Sequence, residues 1–314
     1  MVAMAEISQP SGAWYFEGDV LRIVPGHGKG VHLLRSSLGE LVVPLTAVAS
    51  VSHESGRKSG RLRLRLRHGA DPLVQATGGR LPDAADPYQL EVARDRSGVA
   101  EYLVESVRNA LLIEQVPSEP CDRYLLPGPS VPLTLHASDG EVTFDGEQLR
   151  ITWGWGAEES KKSAGPRTLA LHDLAEVQWT PPVGWENGFV RFLPKGVAPA
   201  AVKPAHDPNT VVLWGLRMAK DVAESALLTA AVLARLPHPS AHSSAHPSAH
   251  PSGQGAAGRL AKAPDAPALP GGEGASPDQD TILRRLRELG ELHRSGVLTD
   301  EEFAAAKKAM IDRL

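Results

Sequence analysis

The amino-acid sequence predicts an α+β, mainly β chain of 314 residues. The expected plan is two tandem strand-rich barrels, each closed by a C-terminal helix, then a disordered linker and a helical hairpin. The first of three observations behind it is an internal repeat. Trp14-Tyr15-Phe16-Glu17-Gly18-Asp19-Val20-Leu21-Arg22-Ile23 returns as Val142-Thr143-Phe144-Asp145-Gly146-Glu147-Gln148-Leu149-Arg150-Ile151. Leu45 to Val51 matches Leu171 to Val177, and Asp86-Pro87 with its apolar run matches Asp207-Pro208 with another. Three blocks in one order, at slightly changed offsets, mark a tandem duplication with loop insertions and deletions. The second observation is that each copy starts on period-two strands and ends on a helix of period 3.6. The third is a collapse in composition after Leu236.

The first repeat is placed at residues 11–115. Glu17-Gly18 supplies a tight turn, Leu41 to Val51 reads as short strands, and Leu62, Leu64 and Leu66 alternate with arginines as a strand with one wet face. A strand at Tyr88 to Val92 and a helix from about Ser97 to Ile113 close the copy. Residues 116–138 form a connector. The second repeat, 139–236, has the stronger hairpin signal, because Asp145-Gly146 provides the positive φ angles of a two-residue turn. It continues through Leu169 to Val177 and Thr210 to Leu213, and ends on a helix at Lys220 to Leu236.

Residues 237–280 read as a disordered linker. Between Pro237 and Pro277 lie eight of the chain's 26 prolines and four of its 12 histidines. Ser, Ala and Gly make up most of the remainder, too little apolar surface to offset ordering entropy. A coil of this length averages on the order of 35 Å end to end. Residues 281–314 then give a helical hairpin. Ile282, Leu283, Leu286, Leu289 and Leu292 share a helix side that stops near Gly296. Thr299 to Glu302 form a capping box, and Phe303, Ala306, Met310 and Leu314 make the second stripe. A hairpin of this size is below the ~40 residues at which chains usually fold unaided, so its stripe calls for a partner or a second copy.

Several strands closed by one C-terminal helix within one repeat is the order of a pleckstrin-homology-like barrel; a generic α+β sandwich is the competing reading. Leu286-Arg287-Glu288-Leu289 through Gly296-Val297-Leu298-Thr299-Asp300-Glu301-Glu302-Phe303 to Lys307-Lys308 resembles the SHOCT (short C-terminal) domain. The duplicated body is similar to a bacterial family of unknown function with tandem pleckstrin-homology-like repeats. Phe144-Asp145-Gly146 and the Leu171, Leu174, Val177 block carry that resemblance; repeat one departs from it at Glu17 and lacks the tryptophans of repeat two. The resemblance implies no established activity. For SHOCT tails it implies oligomerisation or association with other molecules.

Bulk properties narrow the function classes. Net charge is −4, and pI is near 6.3, so there is no global pull toward nucleic acid, and nucleic acid is not an expected partner. The single cysteine, Cys121, excludes an internal disulfide and fits a reducing compartment. No secretory signal is read after Met1, and the apolar run Ala226 to Ala234 is too short to span a bilayer. The expectation is a cytoplasmic chain, with peripheral membrane association as a second option.

The candidate chemistry is sparse. Arg61, Arg63, Arg65 and Arg67, with Arg57 and Lys58 in the preceding turn, could hold phosphate or anionic lipid headgroups. Charge rows on strands are commonly solvated faces paired with neighbouring carboxylates, and that reading comes first. Repeat two keeps Arg191 and Lys195 of this row but has Phe189 and Leu193 in place of Arg61 and Arg65. Gly26-His27-Gly28-Lys29-Gly30 lacks both phosphate-loop patterns and reads as a flexible connection with no helix after it. His238, His242, His246 and His250 recur every four residues, but intervening prolines prevent a chelating helix, so no metal and no cofactor are expected. Five of the six tryptophans belong to repeat two. Trp153 and Trp155 are read on one strand face, and Trp155 and Trp185 are the expected contact anchors for a protein partner. Leu286, Leu289, Phe303 and Met310 are the corresponding contacts of the tail. Ser55-Gly56-Arg57-Lys58 lacks companion motifs, His53-Glu54 starts no metalloprotease motif, and Cys121 has no base beside it. The expected function is therefore a non-enzymatic scaffold that self-associates or recruits protein partners, with anionic-lipid or phosphate binding by the basic strand as the alternative.

Overall fold

In repeat one, four strands form an antiparallel meander: β1 (Ala5–Gln9), β2 (Gly12–Phe16), β3 (Val20–Pro25) and β4 (Leu41–Pro44). A second antiparallel sheet follows, β5 (Val48–Glu54), β6 (Ser59–Leu66) and β7 (Gln89–Ala93). Two short helices occupy connections, α1 (Leu33–Leu38) between β3 and β4 and α2 (Pro72–Thr77) between β6 and β7. The long helix α3 (Ser97–Ile113) comes after the last strand. Repeat two follows the same course. Its first sheet is β8 (Leu133–His136), β9 (Gly140–Phe144), β10 (Gln148–Trp153) and β11 (Arg167–Ala170), with α4 (Glu159–Ala164) before β11. Its second sheet is β12 (Leu174–Thr180), β13 (Gly188–Pro194) and β14 (Thr210–Leu213), and α5 (Met218–Leu233) ends it. This computed structural model describes residues 5–28, 30–184, 186–197, 202–214 and 218–240, all within one compact unit.

The duplication extends to single hydrogen bonds. Gly26 N–H donates to Ser11 O as Gly154 N–H donates to Asp139 O. Leu45 N–H donates to Asp19 O as Leu171 N–H donates to Glu147 O. Register irregularities fall at equivalent places too, Val48/Ser50 on β5 and Leu174/Glu176 on β12, where an extra residue increases the local twist.

The barrels expected from the sequence are corrected by this topology. Each repeat keeps two separate sheets, of four and three strands, and neither sheet closes on itself. The reason is visible where a closing ladder would form. In repeat one the Gln9 side chain takes the Ala93 N–H (3.2 Å). In repeat two Ser138 donates to Val212 O, and Val212 N–H goes to the Asp139 carboxylate (2.9 Å). Side-chain bonds thus take up edge groups that a ladder would have used, and a single main-chain bond, Ser138 N–H to Val212 O (2.9 Å), crosses in repeat two. β1 lies ahead of residue 11 and β8 lies within 116–138; both are short edge strands with little periodicity to read.

The two terminal helices differ in their surroundings. α3 buries one side, Ala100, Leu103, Val104 and Val107, and exposes Tyr102, Leu112 and Ile113, as an amphipathic surface helix should. α5 is buried on all sides from Asp221 to Val232, Glu224 excepted. Its second side is covered by α1 and α2 of repeat one, whose Leu34, Leu73 and Ala76 join Ala226, Leu228 and Ala230 in one core cluster. Alanines at 223, 226, 230 and 231 keep the helix slim where α1 and α2 pack on one side and β8 and β12 on the other. Gly128 of the connector also presses on this helix, since a Cβ there would lie 2.3 Å from that of Ala234. Asp71 fixes α2 by accepting from Leu73 N–H (3.0 Å), Val74 N–H (3.2 Å) and the Tyr88 hydroxyl (2.7 Å). Burial pushes its carboxyl up from the ordinary range, against those three donors.

Candidate interaction surfaces

β6 carries the basic row as the alternation predicts. Leu62 and Leu64 are buried, while Arg61, Arg63 and Arg65 occupy the opposite face and Arg57 and Lys58 are exposed in the β5–β6 turn. The row is broken up by its partners. Arg61 forms an ion pair with Asp83, and the guanidinium holds that carboxyl below its usual range. Glu91 stands opposite Arg61 in the β6–β7 ladder and accepts from the Ser59 hydroxyl (2.6 Å). Arg67 donates to Glu119 O (3.0 and 2.6 Å) and to Thr46 O (2.9 Å). Its equivalent Lys195 donates to His172 O (2.7 Å), so this position ties a sheet to the preceding turn in both repeats. The Arg63 equivalent, Arg191, is paired with Asp207 at 3.0 Å. Arg57, Lys58 and Arg65 are the members of the row left exposed without a partner among the described residues.

Of the expected aromatic anchors, Trp155 is 56% exposed. It lies in the turn after β10, so it does not share a strand face with Trp153, which ends that strand. Lys162 Nζ donates to the Trp155 carbonyl (2.8 Å), fixing the turn that presents the ring. Val183, on the β12–β13 connection, is exposed as well. Trp153 donates to Gly165 O (2.9 Å) and packs its ring 4.9 Å from the Lys161 ammonium. Trp179 is buried, donating to the Ser225 hydroxyl (2.8 Å), and Arg80 of repeat one lies over its ring. Trp185, Leu286, Leu289, Phe303 and Met310 lie outside the described residues, as do His242, His246 and His250.

The sequence reading missed a buried ion pair. Lys161 on α4 is fully buried, and its ammonium donates to Asp139 Oδ2 (2.5 Å) and Thr210 O (2.7 Å). Asp139 Oδ1 accepts from Val212 N–H, so one cluster joins the β8–β9 turn, α4 and β14. Burial pushes the Asp139 carboxyl up, against the pull of Lys161. A residue-by-residue comparison of the repeats holds the signal, because Arg35 stands where Lys161 does. The Gly26 loop was read as leading to no helix; α1 follows it, capped by His32 Nδ1 accepting from Leu34 N–H (3.2 Å).

Among the described residues, no group of three or more His, Cys, Asp or Glu could hold a metal, and no helix is long and apolar enough to cross a membrane. What the fold defines is a duplicated, mainly β body. The chain belongs to the family described as Domain of unknown function (DUF4429), whose pattern matches residues 14–108 and 142–233, more than half of its length. Residues 284–310 match the Short C-terminal domain, SHOCT. No curated protein matches the chain.

Proposed function

We propose that the chain is a non-enzymatic scaffold in the cytoplasm, in which two pleckstrin-homology-like repeats form one rigid platform and the SHOCT tail self-associates or recruits a protein partner. The observation that carries this reading is the burial of α5 between the repeats, which makes two modules one body. Two sheets of four and three strands followed by one helix support the pleckstrin-homology-like assignment of each repeat. Trp155, held out from a braced turn, supports a protein-facing role for repeat two, since large aromatic anchors concentrate binding energy. Deleting residues 281–314 is expected to lower the mass distribution seen by sedimentation velocity. An identical distribution for both chains removes self-association through the tail.

A second reading is an anionic-lipid surface at Arg57, Lys58 and Arg65, favoured by their exposure in repeat one. The commitment of Arg61 and Arg67 to structural partners weakens it. Vesicles containing anionic lipid are expected to sediment the wild-type chain and the Arg57→Glu, Lys58→Glu, Arg65→Glu triple variant to the same small extent. A loss of at least tenfold in the variant transfers the proposal to the membrane.

A further inference from the structure

Arg35 and Lys161 occupy one position in the duplicated fold. Arg35 N–H donates to His32 O as Lys161 N–H donates to Glu158 O, each in the first turn of the short helix between the third and fourth strands. Ser11 and Asp139 are equivalent in the same way, each accepting at its carbonyl from a glycine N–H across the turn. The side chains break the symmetry. Repeat two has a buried cation and a buried carboxylate in contact, whereas repeat one keeps the cation and replaces the carboxylate with a hydroxyl.

The consequence for Arg35 is unusual. It is 7% exposed, and its guanidinium makes no hydrogen bond or ion pair among the described residues; its Nη2 is fully buried and unpartnered. An unpaired buried guanidinium is costly, so proteins normally supply it with an anion. Asp86 is the carboxylate that acts on it at longer range, but both its oxygens are engaged, by Tyr88 N–H (2.9 Å) and the Gln89 amide (2.6 Å). Glu40 is paired with Arg22 at 2.6 Å. Nη2 faces Gly12, where a Cβ would lie 3.2 Å from it and 3.5 Å from Gly26 N. A cavity of about 360 Å³ is lined by Gly26 and by Ser36, the residue after Arg35, together with His27, Gly28 and Gly39.

We infer that repeat one binds a carboxylate at Arg35, the ligand group taking the place that the Asp139 side chain holds in repeat two. A planar guanidinium suits a carboxylate through paired donors. A singly charged group also suits a site with Asp86 and Glu40 nearby better than a doubly charged phosphate does. The carboxylate can arrive on a small molecule or on an acidic side chain of a bound peptide.

The test uses the full chain and thermal unfolding at constant ionic strength. Sodium acetate, an end-blocked peptide containing one aspartate, and inorganic phosphate are each titrated against chloride. Acetate or the peptide is expected to raise the melting temperature by about 2–4 °C near saturation, and whichever is effective at the lower concentration identifies the source. Ser11→Asp supplies the carboxylate internally, so it is expected to raise the melting temperature in chloride and abolish the response. Arg35→Met is expected to abolish the response without that gain. The inference is overturned if neither carboxylate outperforms chloride, if phosphate outperforms both, or if Ser11→Asp responds as the wild type does.

Discussion

Lys161→Ala is expected to destabilise the chain by about 3–5 kcal/mol, read as a lower urea midpoint at unchanged slope. The lysine is fully buried, and its removal strands the Asp139 carboxylate between α4 and β14 with its strongest donor gone. It also frees Thr210 O and takes the cation off the Trp153 ring. Asp139→Ala is expected to cost a similar amount, because it leaves the ammonium buried and frees Val212 N–H. The informative variant is the pair Asp139→Leu with Lys161→Met. Burying two charges carries a desolvation penalty that their attraction only partly repays, so an apolar replacement of similar volume is expected within about 1–2 kcal/mol of wild type. A double variant as unstable as either single one shows that the backbone bonds to Thr210 and Val212, and not charge pairing, hold this corner together.

That corner also shows where sequence reading stops. The hairpins, the strand of alternating leucines and arginines and the two long helices were legible because each has a local period. β6 places Leu62 and Leu64 inside and its arginines outside, as alternation requires. α1, α2 and α4 have six residues each, fewer than two turns and too short to establish a helical period, and they fill gaps whose shape only the tertiary fold defines. Asp139-Gly140 looks like any polar turn until α4 brings Lys161 over it. The arginine row was legible as a row, but not which members were occupied: Arg67 reaches a carbonyl at Glu119, far along the chain, and Arg61 meets Asp83 from the β6–β7 connection. Trp155 was placed on the strand because period two was carried past the strand's end, whereas the chain turns at Gly154 through a bond to Asp139 O.

The helix α5 was read from its period at Lys220 to Leu236, and the structure shows why its composition says more than that. From Val222 to Val232 nearly every position is apolar or small, the pattern of a helix with no wet side. Only the duplication supplies the second wall, because repeat one brings α1 and α2 to it. Repeat one has a core of its own, in which Leu103 and Val107 of α3 pack with Trp14, Phe16 and Leu62. Repeat two does not: its cluster runs on into Leu34, Leu73, Ala76 and Ala85.

This asymmetry sets the outcome of Leu228→Ala. Leu228 is fully buried in the shared cluster, and its truncation is expected to cost about 2–5 kcal/mol, the range for a buried leucine whose cavity cannot collapse. The helices α1 and α2 on one side of α5 and the strands β8 and β12 on the other restrict relaxation, which argues for the upper half of that range. Hydrogen exchange followed by mass spectrometry separates the contributions. Protection is expected to fall in α5, β9 and β10, and also in α1 and α2 of repeat one, which lose their packing partner when α5 loosens. β2, β3 and α3 are expected to keep most of theirs, since the core they share does not include α5. Unchanged protection in α1 and α2 means that the repeats open independently, and the rigid platform on which the scaffold reading depends is then lost.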